Sequence, residues 1–276
     1  MAANNINRRT PEIFVFESPK SGLDRVYNYA QDGNLIQAMD ICEGLLTSFP
    51  ENSELVCAKA WDIYDAYPNK DRYSLYQSRY FNFGIEKEAK VLDVGSGNIP
   101  FPFATHLADF SPDDDTYGRN GAPMKILAGR KVYQCNVEEL PFDDKSFDFV
   151  NATHILEHTH NPGPAFRELI RVAKRGFIET PARDKDIWMN HAATSNHHWW
   201  VKIESGKLIF NQYSDEELKG IGCGILSAMH CNPQTEREKA FAALVYLKAD
   251  IMNNMFMWNE SFSWEVHWLD GRIETS

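Results

Sequence analysis

The sequence predicts an α/β fold, a sheet of mostly parallel strands with a small all-helical segment ahead of it. Three observations carry that prediction. Between Lys90 and about Thr180, apolar strand runs alternate with helical or turn segments. Before them, from about Leu23 to Tyr67, apolar residues recur mostly at spacings of three and four. Within the alternating region, the strand-like "KVLDV" runs straight into the glycine loop "GSGN".

The helical segment comes first in the chain. Val26, Tyr29, Ala30, Leu35, Ile36, Ala38, Met39, Ile41, Cys42, Leu45 and Leu46 form its apolar pattern, and "QDGN" interrupts it with a turn at Asp32-Gly33. "FPEN" ends the second helix at Pro50, and "NSELVCAKAWDIYDAY" makes a third. Tyr29, Gly33, Ala38 and Pro50 stand as in one tetratricopeptide repeat, which this hairpin resembles, although Cys42 replaces the usual Phe. One copy cannot bury a core alone. It is expected either to cap the main domain or to dock a partner. The chain is accordingly divided into a helical segment, 1–84, and a second domain, 85–276.

The strands of the second domain are expected in "KVLDVG", "ATHLAD", "KVYQCNV", "SFDFVNATHIL" and "RGFIET", with an amphipathic helix in "NPGPAFRELIRVAKR". Arg167, Arg171, Lys174 and Arg175 read as the solvated face of that helix. Beyond Pro181 the sequence predicts a strand in "KLIFNQY", a helix near "SDEELKG", and a long helix from about Gln234 to Met257. The final strands of the sheet and insertions covering a substrate are expected there. Met252, Met255 and Met257, with Phe256 and Trp258, read as core or dimer packing.

Composition narrows the function. The 276 residues carry a net charge of −11, with no dense Lys/Arg cluster, which disfavours a nucleic-acid partner. Cys42, Cys57, Cys135, Cys223 and Cys231 are odd in number and scattered, which suits a reducing cytoplasm. "MAANNINRRTPEIF" has no apolar signal core, and no run approaches the roughly 20 apolar residues of a membrane span.

The glycine loop raises the question of a ligand. Gly95 and Gly97 let backbone approach one closely. A dinucleotide is disfavoured, because the third glycine of G-x-G-x-x-G falls on Pro100 and no helix N-terminus is expected to meet a pyrophosphate. "CNVEELPFDDKSFDFVNATHILEH" followed by "NPGPAFRELIRVAKRGFIET" resembles the class I S-adenosylmethionine-dependent methyltransferases, in the branch carrying "LPF...SFD.V...H.LEH". The resemblance spans roughly Lys90 to Pro181. It implies a Rossmann-like sheet with helices on both faces, methyl transfer, and S-adenosylmethionine as cofactor. Carried over, Gly95, Ser96, Gly97 and Asn98 form the cofactor loop after Asp93, Asn136, Val137 and Glu138 border the adenine, and Thr153 closes the cofactor shell. Asn136 stands where many relatives have Asp, and its amide still offers an acceptor and a donor.

Pro100 and Pro102 break the helix that normally follows such a loop. The chain is therefore read as hopping directly into strand two, Ala104 to Ala108, which makes Asp109 the ribose carboxylate. The alternative keeps a helix through Asp109 and gives that role to Asp113 to Asp115.

Methyl transfer to a hydroxyl needs its proton removed, a task suited to histidine. His154, His158, His160, His191, His197 and His198 are candidates, foremost His197 and His198 in "NHHWW", then His154 and His158 in "HILEH". His154 and His158 also read as cofactor shell, and Trp199 with Trp200 either as an aromatic wall beside the base or as caps on the core. No third ligand at a recognisable spacing supports a metal site. The expected acceptor is a hydroxyl of a small molecule or sugar. Methylation of a nitrogen or protein side chain, with the hairpin docking the substrate, is one alternative. A non-catalytic scaffold is another. A protein partner or homodimer stays open.

Overall fold

Ser18 starts the first helix by hydrogen bonding that its neighbours complete. In α1 (Pro19–Gln31) the Ser18 hydroxyl accepts from the Ser21 amide while the Ser21 hydroxyl accepts from the Ser18 amide, and Pro19 fills the first turn. Gly33, at φ +76°, turns the chain into α2 (Leu35–Ser48), and α3 (Ser53–Ala66) follows a short turn at Pro50. A single turn, α4 (Ser78–Tyr80), places Arg79 against Asp40 at 2.7 Å and against Glu43. The computed structural model describes residues 14–66, 72–73, 78–113, 122–190, 196–219 and 224–276.

The helices and the sheet belong to different compact units. The described residues of the helical unit lie within 14–83 and 224–250, and those of the sheet unit within 84–219 and 251–276. Residues 224–250, which the sequence places with the second domain, thus pack with the N-terminal helices. The reason is local. Ala240, Ala243 and Leu247 of the helix Glu236–Leu247 are buried in one core with Val26, Ala38, Met39, Ile41, Leu45, Val56, Ala60 and Ile63. Tyr246 also stacks on Tyr64 at 4.2 Å, and Trp61 packs on both rings.

In the sheet unit β1 (Val91–Val94), β2 (His106–Asp109), β3 (Lys131–Gln134), β4 (Phe149–Thr153) and β5 (Arg175–Pro181) are parallel, in the spatial order β3-β2-β1-β4-β5. A second sheet begins with the hairpin β6 (Trp199–Glu204) and β7 (Lys207–Gln212), turned at Ser205-Gly206. Next, β8 (Asn253–Asn259) closes the first sheet antiparallel to β5. Then β9 (Ser263–His267) pairs parallel with β7, and β10 (Ile273–Thr275) antiparallel with β9.

The long helix expected through Met257 therefore stops near Lys248, with one further short helical turn at Ala249–Met252. "NNMFMWN" is a strand instead. A continuous apolar run has no period that separates helix from strand, and the open edge of β5 decides the matter. Met255, Phe256, Met257 and Trp258 are buried there.

Helix α5 (Pro162–Val172) starts at Asn161, whose side chain accepts from the Gly163 amide, and buries Ala165, Phe166, Leu169 and Val172 against the sheet core. Its Arg171, expected from sequence on a solvated face, ties down the loop after β3. It donates to the carbonyls of Leu140 and Phe142 and to Glu168 and Asp144, while the Leu140 amide donates to Glu168. The Arg171 hydrogen bonds hold the Glu168 carboxyl below its ordinary range. A lowered folded-state value gives stability that is complete above the unfolded value of about 4.3 and is lost as pH falls through the folded one. Arg171→Met is expected to cost about 1–2 kcal/mol at pH 7 by leaving two carbonyls and Glu168 without this donor. The deficit should narrow at about pH 3, and urea unfolding at the two pH values checks both statements.

Candidate functional site

The strand order reverses between β1 and β4, since β1 continues to β2 on one side and lies beside β4 on the other. In open α/β sheets ligands settle outside the carboxyl ends of the strands at such a point. Here those ends carry Gly95 after β1 and His154 after β4. Gly95 has φ +67° and Gly97 +52°, and a Cβ added to Gly95 would lie 2.4 Å from the Ile155 side chain. Only glycine fits there.

No helix follows the loop. Instead the buried Asp93 carboxylate accepts from the Phe101 amide at 2.8 Å and from the Asn151 side chain at 2.7 Å. Phe101 is fully buried and stacks on Phe149 at 5.9 Å, filling space between Pro100 and Pro102. Asp93 thus holds the loop from within. The chain then enters β2 directly, and Asp109 ends it. One Asp109 oxygen accepts from the Gly97 amide and the other from the Ser111 amide, both at 3.0 Å, which places the carboxylate at the glycine loop. Of the alternative acids, Asp113 lies in the turn beyond, and Asp114 and Asp115 fall outside the described residues.

The remaining expected cofactor residues differ in exposure. Asn98 and Asn136 are exposed, and the Asn136 side chain accepts from the Glu138 amide. Val137 is buried in the sheet core, and Glu138 accepts from the Asn161 amide at the start of α5. Thr153 is buried and donates to Asn151. Ser96 is buried, and its hydroxyl has no hydrogen-bond partner among the described residues.

The histidines separate by environment. His154, at φ +53°, lies between two buried carboxylates, with Nδ1 3.3 Å from Glu157 and Nε2 3.5 Å from Glu179. His197 is buried, and its Nδ1 lies 2.7 Å from Asp186, whose other oxygen accepts from the Tyr213 hydroxyl at 2.9 Å. A carboxylate can only accept, so His197 Nδ1 carries the proton and its lone pair sits on Nε2. Burial opposes charging this ring, but the Asp186 hydrogen bond and the nearby Glu157 charge outweigh it and raise the His197 pKa.

His158 packs edge-on against His197 at 4.5 Å, with Nδ1 directed at the Asn196 carbonyl. Burial, then His197, pushes its pKa down to about 3. His198 neighbours His160 instead, with ring centroids 5.0 Å apart. His191 lies outside the described residues. Trp199 is buried and donates to the Thr159 carbonyl, so it belongs to the core and not to an exposed aromatic wall. Trp200 is half-buried, with the Arg183 guanidinium 5.0 Å above its ring.

Sequence spacing offers these histidines no third metal ligand, but the fold supplies one. Glu157, His158 and His197 each offer a ligand atom, and these atoms lie within 4.8 Å of one another. Glu157, Glu179, Asp186, Tyr213 and Asn253 are among the buried polar residues that sequence reasoning missed; Asn253 links Glu179 to Lys185. A lone glutamate inside the buried strand "RGFIETP" was a usable signal. Nothing local marked Asp186. A cleft of about 730 Å³ elsewhere in this unit, lined by Arg167, Arg171, Trp258 and Trp264, touches none of these residues.

Residues 92–178, from β1 to β5, match the model of a methyltransferase-domain family. The chain carries a methyltransferase domain. Among curated relatives, this domain is 43% identical over 111 residues to a ubiquinone/menaquinone biosynthesis C-methyltransferase of Xanthomonas campestris, covering 36% of this chain and 44% of that one. The counterpart in Idiomarina loihiensis is 31% identical over 104 residues, covering 34% and 41%. An uncharacterised methyltransferase of Schizosaccharomyces pombe is 27% identical over 128 residues, covering 40% and 44%. The chain thus spans about two-fifths of the length of the curated relatives it matches.

The methyltransferase family is the class I, S-adenosylmethionine-dependent one. The loop of the domain fits that cofactor. A glycine cradle that a Cβ would fill and a buried hydroxyl at Ser96 without a partner among the described residues follow β1, and a carboxylate ends the neighbouring β2 beside them. The lost helix matters little, because this ligand has no phosphate to seat on a helix N-terminus.

Proposed function

We propose that the protein transfers a methyl group from S-adenosylmethionine to a small molecule bearing an ionisable, conjugated hydroxyl, which is activated at His197. The observation that carries this reading is the buried Tyr213–Asp186–His197 chain, which fixes the imidazole tautomer just beyond the ends of β4 and β5. Gly95, Ser96, Gly97 and Asn98 hold the methionine and ribose part of the cofactor, Asp109 the ribose hydroxyls, and Asn136 to Glu138 the adenine.

When bound, S-adenosylmethionine supplies a sulfonium methyl whose C–S bond breaks as the acceptor bond forms, the electron pair returning to sulfur. The protein aligns the acceptor and ionises its hydroxyl. The relatives are named C-methyltransferases, which favours a hydroxylated ring over a plain sugar hydroxyl. An ionised ring oxygen delivers charge to its conjugated carbon, so carbon and oxygen methylation share this activation. A cytoplasmic setting accords with the free thiols Cys42, Cys57, Cys135 and Cys231. No helix among the described residues is long and apolar enough to cross a membrane.

Titration calorimetry tests the cofactor half. Saturable binding of S-adenosylmethionine and S-adenosylhomocysteine, but not NAD, is expected. Asp109→Ala should weaken it by about 1–3 kcal/mol. Unchanged affinity in Asp109→Ala, with a loss in Asp113→Ala, would move the ribose contact to the later acids.

A further inference from the structure

We propose that Glu157, His158 and His197 bind a divalent first-row metal ion of the zinc type, and that the acceptor hydroxyl ionises on this ion. The proposal rests on the reading of the domain as an S-adenosylmethionine-dependent enzyme whose acceptor meets His197. It deepens that reading by naming how His197 acts.

Four features of the cluster point to a cation. Its three ligand atoms lie within 4.8 Å of one another, while ligands on a tetrahedral ion with bonds of about 2.1 Å are about 3.4 Å apart, so side-chain shifts of about 1 Å close the site. Both imidazoles have Nδ1 tied to groups that only accept, Asp186 for His197 and the Asn196 carbonyl for His158, which leaves each lone pair on Nε2. That second tier of acceptors behind a ligating histidine is the arrangement that orients imidazoles on metals, and Tyr213 extends it by holding Asp186.

The fourth feature is independent of the histidines. Glu157 is 1% exposed, and its Oε2 has no hydrogen-bond partner among the described residues. A buried carboxylate oxygen without a partner is costly, and a bound cation removes the cost. Glu157 and Asp186 together bring two buried negative charges to the cluster, matching a divalent ion. Two imidazoles and one carboxylate leave coordination positions open, so an acceptor oxygen can join the ion and lose its proton to solvent before the methyl arrives.

The test uses the full chain, stripped with chelator and titrated with Zn²⁺ and with Co²⁺ as a spectroscopic probe. One equivalent per chain is expected, with visible Co²⁺ absorption. Affinity should fall at least about 100-fold in Glu157→Gln and in His158→Ala, and stay unchanged in His160→Ala. X-ray absorption of the Zn²⁺-loaded wild type reads the ligand set without relying on any variant's folding, and imidazole scattering without sulfur is expected. No stoichiometric binding, sulfur ligation, or equal affinity in Glu157→Gln would overturn the site. S-adenosylmethionine affinity is measured in the same samples. Intact cofactor binding without metal binding sinks only the metal site, whereas metal binding without cofactor binding sinks the proposed function and leaves the site standing.

Discussion

His197→Ala is expected to lower turnover by about 10²–10⁴-fold, the range associated with losing a positioned proton-transfer group. S-adenosylmethionine affinity should stay within about twofold, because no contact with the glycine loop is removed. Direct proton abstraction and ionisation on a metal both act through the Nε2 lone pair that Asp186 sets in place, so both routes lose it. His198→Ala is the comparison. That ring turns toward His160, and its backbone amide, which any residue retains, donates to the Glu157 carbonyl. His198→Ala should therefore keep most of the wild-type turnover. Equal losses in the two variants would take the special role away from His197.

Gly176→Ala is expected to destabilise the sheet unit by about 3 kcal/mol. Gly176 lies in β5, between β4 and β8, with Trp258 opposite it. A Cβ there would sit 2.5 Å from the Val150 carbonyl oxygen and 2.8 Å from both Trp258 and the Val150 side chain. A flexible side chain can swing aside, but a carbonyl fixed in the middle of a sheet cannot. Thermal unfolding should show the midpoint falling by about 6–10 °C. An unchanged midpoint would mean that β4 and β5 can part without loss, contrary to the packing described.

Much of the sheet was legible in the sequence because its signals are local. "KVLDVG", "KVYQCNV" and "RGFIET" are short apolar runs bounded by turn residues, and all three contain strands. Pro100 and Pro102 announced the missing helix through their own covalent geometry, and no helix stands there. β8 was not legible, since "NNMFMW" has no period of its own and became a strand only because β5 offered an edge. The packing of the Ala240 helix on the N-terminal helices was likewise not legible, as its small-residue face has no meaning without the helix it meets.

The candidate site divides along the same line. By itself the sequence determined the glycine turn and the presence of several histidines in two short stretches, and it offered Asp109 as a strand end against one alternative. These depend on backbone preferences and on residues within a few positions of one another. Only the tertiary structure decided which histidine gains a partner. Asp186 is 11 positions from His197, Tyr213 is 27 from Asp186, and Asn253 is 74 from Glu179. A carboxylate in a sequence is ordinarily solvated. Folding strips that water away and makes each buried charge depend on whichever distant group the chain brings beside it.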